Sequence, residues 1–204
     1  MRIGLYFGTF NPIHVGHLII ANHMAEREDL DQVWLVVTPQ NPLKVNQNLL
    51  ADYHRLALVK IAIDDNFKLR ASDIEFALPK PSYTVDTLAY LKEKYPTHQF
   101  ALIMGEDNLR NFHKWKNYDV LLQKHKLFVY PRPLTLEEID NKTTIAQAEL
   151  LGHSNIVLTN APIMQISSTH IRNLVKAGRS IQYLVTDPVN KYIDEMNFYR
   201  ETPL

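Results

Sequence analysis

RIGLYFGTFNPIHVGHLIIANHMAERE, residues 2–28, contains an apolar run, a turn and a helical pattern in that order. The run RIGLYF (2–7) stops at Gly8, as a buried strand stops at a turn. From Val15 onward Leu18, Ala21 and Ala25 share one side, while Ile19, Ile20 and Met24 fill most of the rest, as in a helix packed against a sheet. One strand, one turn and one helix are therefore expected within the first 28 residues.

The same order recurs outward from this unit. QVWLVV (32–37) is β-branched and apolar, and Pro39 and Pro42 end it. PQNPLKVNQN (39–48) is a polar, proline-broken loop of about ten residues, longer than the typical 4–6. Helical spacing returns in 51–64 through Leu56, Val59 and Ile63, and FKLRAS (67–72) reads as a short strand. Past the proline-rich ALPKPSY, 84–94 is a helix with Val85, Leu88 and Leu91 inward, and QFALIM (99–104) is a strand ending at Gly105. KLFVYPR (126–132) and NIVLT (155–159) are two further apolar runs, separated by a polar, helical stretch near 135–151. SSTHIRNLVKAG (167–178) has hydroxyl caps in front and Gly178 as a stop, and PVNKYIDEM (188–196) is one more short helix. Such alternation implies right-handed βαβ units in an α/β, Rossmann-like doubly wound fold: a mainly parallel sheet with helices on both faces. One domain spanning 1–204 is expected, its part from about 160 onward a small helical appendage.

Composition narrows the function. With 204 residues, 22 Lys+Arg and 22 Asp+Glu, the net charge is zero. No global field gathers nucleic acid, and an anionic ligand needs a local site. The absence of cysteine excludes disulfides, thiolate metal sites and cysteine nucleophiles. MRIGLYFGTFNPIH has only about five apolar residues in a row before Gly8, short of the ~7–15 of a signal-peptide core. No stretch approaches the ~18 apolar residues of a membrane span. A cytoplasmic protein that binds small ligands, with no nucleic-acid or membrane partner, is expected.

In parallel sheets ligands bind outside the carboxyl ends of the strands, so the first turn, Gly8 to His17, is the first place to search. It has neither G-x-G-x-x-G nor G-x-x-x-x-G-K-[ST], so no dinucleotide cradle or Walker loop is encoded. Instead His14 and His17, three residues apart, stand at a helix start, on one face with the unsatisfied N–H groups and the positive dipole end. That combination suits a polyphosphate. Gly16 removes a side chain between them, and Thr9 adds a hydroxyl donor. A lone histidine is more often a cap or a satisfied core residue. Zinc lacks the ligands in register.

GTFNPIHVGH (8–17) resembles the signature of the T/H-x-G-H nucleotidyltransferase superfamily, G-T-F-D/N-P-x-H-x-G-H. ISSTHIR (166–172) resembles its second signature, I-S-S/T-T-x-I-R. Within the superfamily the chain looks most like the bacterial nicotinate-nucleotide adenylyltransferases. PQNPLK (39–44), PSYTVDT (81–87), MGEDNL (104–109) and Trp115 carry that likeness in order and spacing. The phosphopantetheine-specific relatives are shorter and lack PSYT. Phe7 stands where many members have a second glycine, and Asn11 where aspartate is commoner.

The resemblance implies transfer of the adenylyl group of ATP to the 5′-phosphate of nicotinate mononucleotide, giving deamido-NAD and pyrophosphate. The nucleophile is already anionic, so catalysis needs positioning and donors rather than a triad. His17 is assigned to the α-phosphate, His14 to the β,γ side and Arg172 to the leaving pyrophosphate. Gly8, Thr9, Phe10, Gly16, Gly105, Asp107, Ile166, Ser167, Ser168 and Thr169 are assigned to ATP, and Lys44, Tyr83, Thr84 and Trp115 to the mononucleotide. Mg²⁺ is expected to be held by substrate phosphates and water, with no protein metal site. A homo-oligomer is compatible with the sequence. Nicotinamide mononucleotide or another phosphate acceptor, and a non-catalytic nucleotide-binding regulator, remain as alternatives.

Overall fold

The computed structural model describes residues 1–26, 29–40, 42, 49–133 and 150–200. Lys44, most of the 39–48 loop and most of the 135–151 stretch lie outside the described residues. Six strands form one sheet: β1 (Arg2–Gly8), β2 (Gln32–Val37), β3 (Leu69–Ser72), β4 (Gln99–Gly105), β5 (Leu127–Tyr130) and β6 (Ile156–Leu158). Their order is β3-β2-β1-β4-β5-β6 and every pairing is parallel. β1 sits at the centre, with Leu5 opposite both Trp34 and Leu102. The order in which strands are laid down reverses between β1 and β4, the switch point where such sheets open a crevice for ligands.

Alternation along β1 sends its side chains to two cores. Ile3 and Leu5 join a cluster with Leu88 and Leu91 of α3 (Thr84–Lys94), Leu109 of α4 (Glu106–Arg110) and Leu121 of α5 (Tyr118–Lys124). Tyr6 joins the opposite cluster, with Ile20 and Met24 of α1 (Val15–Ala25) and Leu58 and Val59 of α2 (Asp52–Ala62). The same cluster takes Ile171 of α6 (Ser168–Lys176) and Val189 and Ile193 of α7 (Asp187–Glu195). Burial of each such side chain contributes roughly 1.5–3 kcal/mol, so both faces are firmly covered. Helices on both faces and an all-parallel sheet agree with the sequence-based expectation.

Some boundaries differ. β3 begins at Leu69, because Phe67 is 95% exposed and cannot belong to a buried strand. The 106–117 segment is largely helical: α4, then a 3₁₀ turn over Phe112–Lys114. Leu109 and Phe112 are fully buried there and tie the segment down. α5 and the 3₁₀ turn Ile74–Ala77 have too few periodic positions to stand out from sequence.

Candidate active site

The helix start after β1 is built by the two histidines themselves. His14 is the N-cap of α1. Its Nδ1 accepts from the His17 backbone N–H, while His17 Nδ1 accepts from the His14 backbone N–H, both at 3.3 Å. This is a capping box made of imidazoles. A ring nitrogen that accepts carries no proton, so each neutral ring has its proton on Nε2. The rings stack at a 3.7 Å centroid distance and 20° between planes. Phe10, at φ 45°, turns the chain and sets its ring edge-on to His17 at 5.1 Å.

Stacking and burial keep the pair neutral. Burial lowers His14 to about 4, helped by the Arg132 guanidinium. His17 is held well below its ordinary value by burial, then by His14 and Arg132. The glycines here serve close approach. A Cβ on Gly16 would lie 3.1 Å from His14 Nδ1, and one on Gly8 would lie 2.8 Å from the Phe10 ring.

The second motif docks onto the first. Ser167 caps α6, its hydroxyl accepting from the His170 N–H at 3.2 Å. Ser168 Oγ donates to the Pro12 carbonyl at 2.8 Å, and Arg172 Nη1 donates to the Asn11 carbonyl at 2.8 Å. Arg172 Nη2 also reaches Thr169 Oγ1 at 3.2 Å. Ile166 packs against the core beneath. Two helix starts far apart in sequence thus share one loop, and their positive ends fall on one end of the sheet.

Other residues shape this end. Arg55 of α2 is fully buried and donates to the carbonyls of Thr9 (2.6 Å), Thr38 (2.9 Å) and Leu50 (3.0 Å), and to Asp52 Oδ1 (2.6 Å). It fastens the turn after β1 to the end of β2. Asn11 is equally buried, its Oδ1 accepting from the Leu50 N–H at 3.2 Å and the Tyr199 hydroxyl at 3.0 Å. The hydroxyls of Tyr6 and Tyr130 lie 3.2 Å apart, and burial raises both. Arg132, after β5, donates its backbone N–H to Glu106 Oε2 at 3.1 Å and places Nε 3.9 Å from Asp107 Oδ2. Asp107 Oδ1 is buried without a partner, so it can accept from a ligand hydroxyl. Gly105 is the N-cap of α4, and a Cβ there would collide with Asp107 Oδ1.

Beside this end a cavity of about 100 Å³ is lined by Phe7, Thr38, Glu75, Tyr83, Thr84 and Trp115, among others. Three of the residues assigned from sequence to the mononucleotide therefore meet. Trp115 packs on Phe112 at a 5.4 Å centroid distance while its Nε1 is buried without a partner. A larger cavity, about 670 Å³, lies at the other end of the sheet, between Arg2, Gln99 and Lys126. It flanks the amino ends of the strands and touches neither histidine, so the smaller one is the ligand candidate.

Arg55, Arg132 and Glu75 escaped the sequence reading. Arg55 precedes the buried Leu58 and Val59 by three and four positions, so it lies on the apolar helix face, a signal that was available. Arg132 ends an apolar run at the carboxyl end of a strand. For Glu75, in a four-residue turn, no periodicity exists to betray it.

A helix-borne histidine pair and a second basic helix start at the switch point of a parallel sheet define a protein that handles nucleoside polyphosphates. Residues 5–174 match the family model described as cytidylyltransferase-like. Curated relatives named "Probable nicotinate-nucleotide adenylyltransferase" include one from Flavobacterium psychrophilum, 58% identical over 98% of this chain and 100% of its own length. Another, from Bacteroides fragilis, is 41% identical over 94% of this chain and 90% of its own length. The chain belongs to the cytidylyltransferase-like family and, within it, to the nicotinate-nucleotide adenylyltransferases. Its fold matches Plasmodium falciparum nicotinic acid mononucleotide adenylyltransferase, solved complexed with NaAD, at a TM-score of 0.78 and 21% identity over 97% of both chains.

Proposed function

We infer that the chain transfers the adenylyl group of ATP to the 5′-phosphate of nicotinate mononucleotide, forming deamido-NAD and pyrophosphate in NAD biosynthesis. Family membership supports the reaction, and the stacked imidazoles at the start of α1 carry its chemistry. A phosphate oxygen of the mononucleotide attacks the α-phosphorus of ATP. The bond from that phosphorus to the α,β-bridging oxygen breaks, and its electron pair leaves with pyrophosphate.

No proton must move for this, so a base is unnecessary and donors matter most. Nε2–H of His17 donates to the α-phosphoryl oxygens as charge grows there, and that of His14 serves the β,γ side. Arg172 leaves the Asn11 carbonyl to receive pyrophosphate, next to the hydroxyls and N–H groups of Ser167, Ser168 and Thr169 and above Ile166. Gly8, Thr9, Phe10 and Gly16 give the polyphosphate its turn. Asp107, set by Gly105, accepts from the ATP ribose. Arg132 adds a cation facing both histidines, in a position to oppose phosphate charge.

At the acceptor end Trp115 stacks on the pyridine ring, and Tyr83 and Thr84, at the first turn of α3, face its substituent. Lys44 is assigned to the mononucleotide phosphate. Among the described residues no cluster of three His, Asp or Glu side chains is placed to hold a metal. The phosphate end offers N–H and guanidinium donors instead, which fits a Mg²⁺ that arrives on ATP and neutralises part of its charge. We take residues 1–204 as one domain working in the cytoplasm, with self-association open to measurement. Among the described residues no helix is long and apolar enough to cross a membrane.

The test is incubation with ATP, Mg²⁺ and either nicotinate or nicotinamide mononucleotide, with identification of the dinucleotide formed. Deamido-NAD in clear excess over NAD is expected. NAD in excess transfers the reading to the amide, and product from neither acceptor overturns it.

A further inference from the structure

The cavity read above as the ring pocket contains a carboxyl group with no assigned task. Glu75 sits on the 3₁₀ turn between β3 and the PSYT segment and is 1% exposed. Its Oε1 accepts from the Thr87 hydroxyl at 2.8 Å, and the Thr38 side chain helps to hold the carboxyl's pKa down. Oε2 is buried and has no partner, as are Ser82 Oγ and Trp115 Nε1 on the same wall. Among the described residues, the cations bordering the cavity are engaged elsewhere. Lys114 donates to Asn111 Oδ1 at 2.8 Å, and Lys116 pairs with Asp86 at 2.9 Å while lying over the Tyr83 ring.

A desolvated pocket does not hold two carboxylates side by side, since each raises the other's affinity for a proton. If the ring of nicotinate mononucleotide enters here, its carboxylate meets Glu75. We propose that Glu75 ties discrimination between acid and amide to pH, taking up a proton when nicotinate mononucleotide binds and donating it from Oε2 to the ring carboxylate. One proton is drawn from solvent on binding and returned on product release. With nicotinamide mononucleotide, Oε2 stays ionised and accepts from the carboxamide N–H, with no proton uptake. Burial already raises the Glu75 carboxyl above its ordinary value, with the Thr87 and Thr38 hydrogen bonds opposing that rise. The incoming anion raises it further.

The inference rests on the ring-pocket assignment, and its test is chosen to separate the two. In the intact enzyme, kcat/KM for each mononucleotide is measured from about pH 6 to 9. Titrations of the shared phosphate, His14 and His17 affect both substrates and cancel in the ratio. The acid-to-amide ratio is expected to fall as pH rises, by up to about tenfold per pH unit, the limit for one linked proton. Glu75→Gln, which keeps a neutral N–H donor, is expected to abolish that slope. Glu75→Ala takes a hydrogen bond involving a charged group from both substrates, so it is expected to lower both kcat/KM values and likewise to abolish the slope of their ratio. Calorimetric titration of nicotinate mononucleotide in two buffers of different ionisation heat, without ATP, is expected to show proton uptake by the wild type. None is expected for nicotinamide mononucleotide, nor for Glu75→Gln with either ligand.

A pH-independent ratio in the wild type overturns the proposal, as does the same slope in a folded Glu75→Gln variant or binding of the acid without proton uptake. If Trp115→Ala leaves binding of the mononucleotide untouched, the pocket assignment itself fails and the proposal falls with it. If Glu75→Gln does not fold, the wild-type calorimetry decides alone.

Discussion

Arg55→Ala removes a side chain that joins the turn after β1 to the end of β2. The guanidinium is fully buried and satisfies the carbonyls of Thr9, Thr38 and Leu50 at 2.6–3.0 Å. Left without a donor in the interior, each carbonyl costs about 1–3 kcal/mol. The sum is an upper bound, because the vacated space can admit water to some of them. Asp52 keeps Lys80 Nζ at 2.8 Å and is partly exposed, so losing Arg55 costs it less. The net expectation is about 3–5 kcal/mol, the range for breaking a buried charged pair from one side. Total stabilities run about 5–15 kcal/mol, so the midpoint of urea unfolding should shift strongly at an unchanged slope. Arg55→Lys reaches fewer of the carbonyls and should fall between. A loss below about 1 kcal/mol for Arg55→Ala would refute the reasoning that this residue clamps the two strand ends.

Trp115→Ala should raise KM for the mononucleotide far more than for ATP, measured by varying each substrate in turn; equal effects would place the indole outside the ring pocket. The histidine pair predicts acid sensitivity of the free protein. Folding holds His14 at about 4, below the ordinary 6.5 of the unfolded chain. Its contribution is therefore complete above about pH 6.5 and is lost as pH falls toward 4. That gap is worth about 3 kcal/mol at full extent. Denaturant titrations at about pH 7 and 4.5 should show the loss, and His14→Gln should reduce it. Saturating ATP at the lower pH should restore part of the stability, because phosphate favours the protonated rings.

The architecture was readable because its strands are short apolar runs closed by Gly8, Pro39 and Gly105, and its long helices keep their period. The histidine pair was readable from spacing, yet its reciprocal cap was not. A capping box ordinarily announces itself by Ser or Thr and Glu or Gln, and here imidazoles take both places. Ser168 and Arg172 were found as a motif, but their grip on the Pro12 and Asn11 carbonyls spans more than 150 positions. No local pattern encodes such a contact. Asp107 is free to meet a ligand because the cap of α4 falls to Gly105, which only the backbone shows. Glu75 and Arg132 act only through where the fold puts them, so they had to be seen in place.

The central claim is that adenylyl transfer occurs against the imidazoles at the start of α1. Steady-state pyrophosphate release with nicotinate mononucleotide, comparing the wild type with His17→Ala, tests it most directly. Loss of a donor used mainly in the transition state predicts a kcat lower by about 10²–10³ with a smaller change in KM. A folded His17→Ala enzyme with wild-type turnover would contradict the account and move the reaction away from this helix.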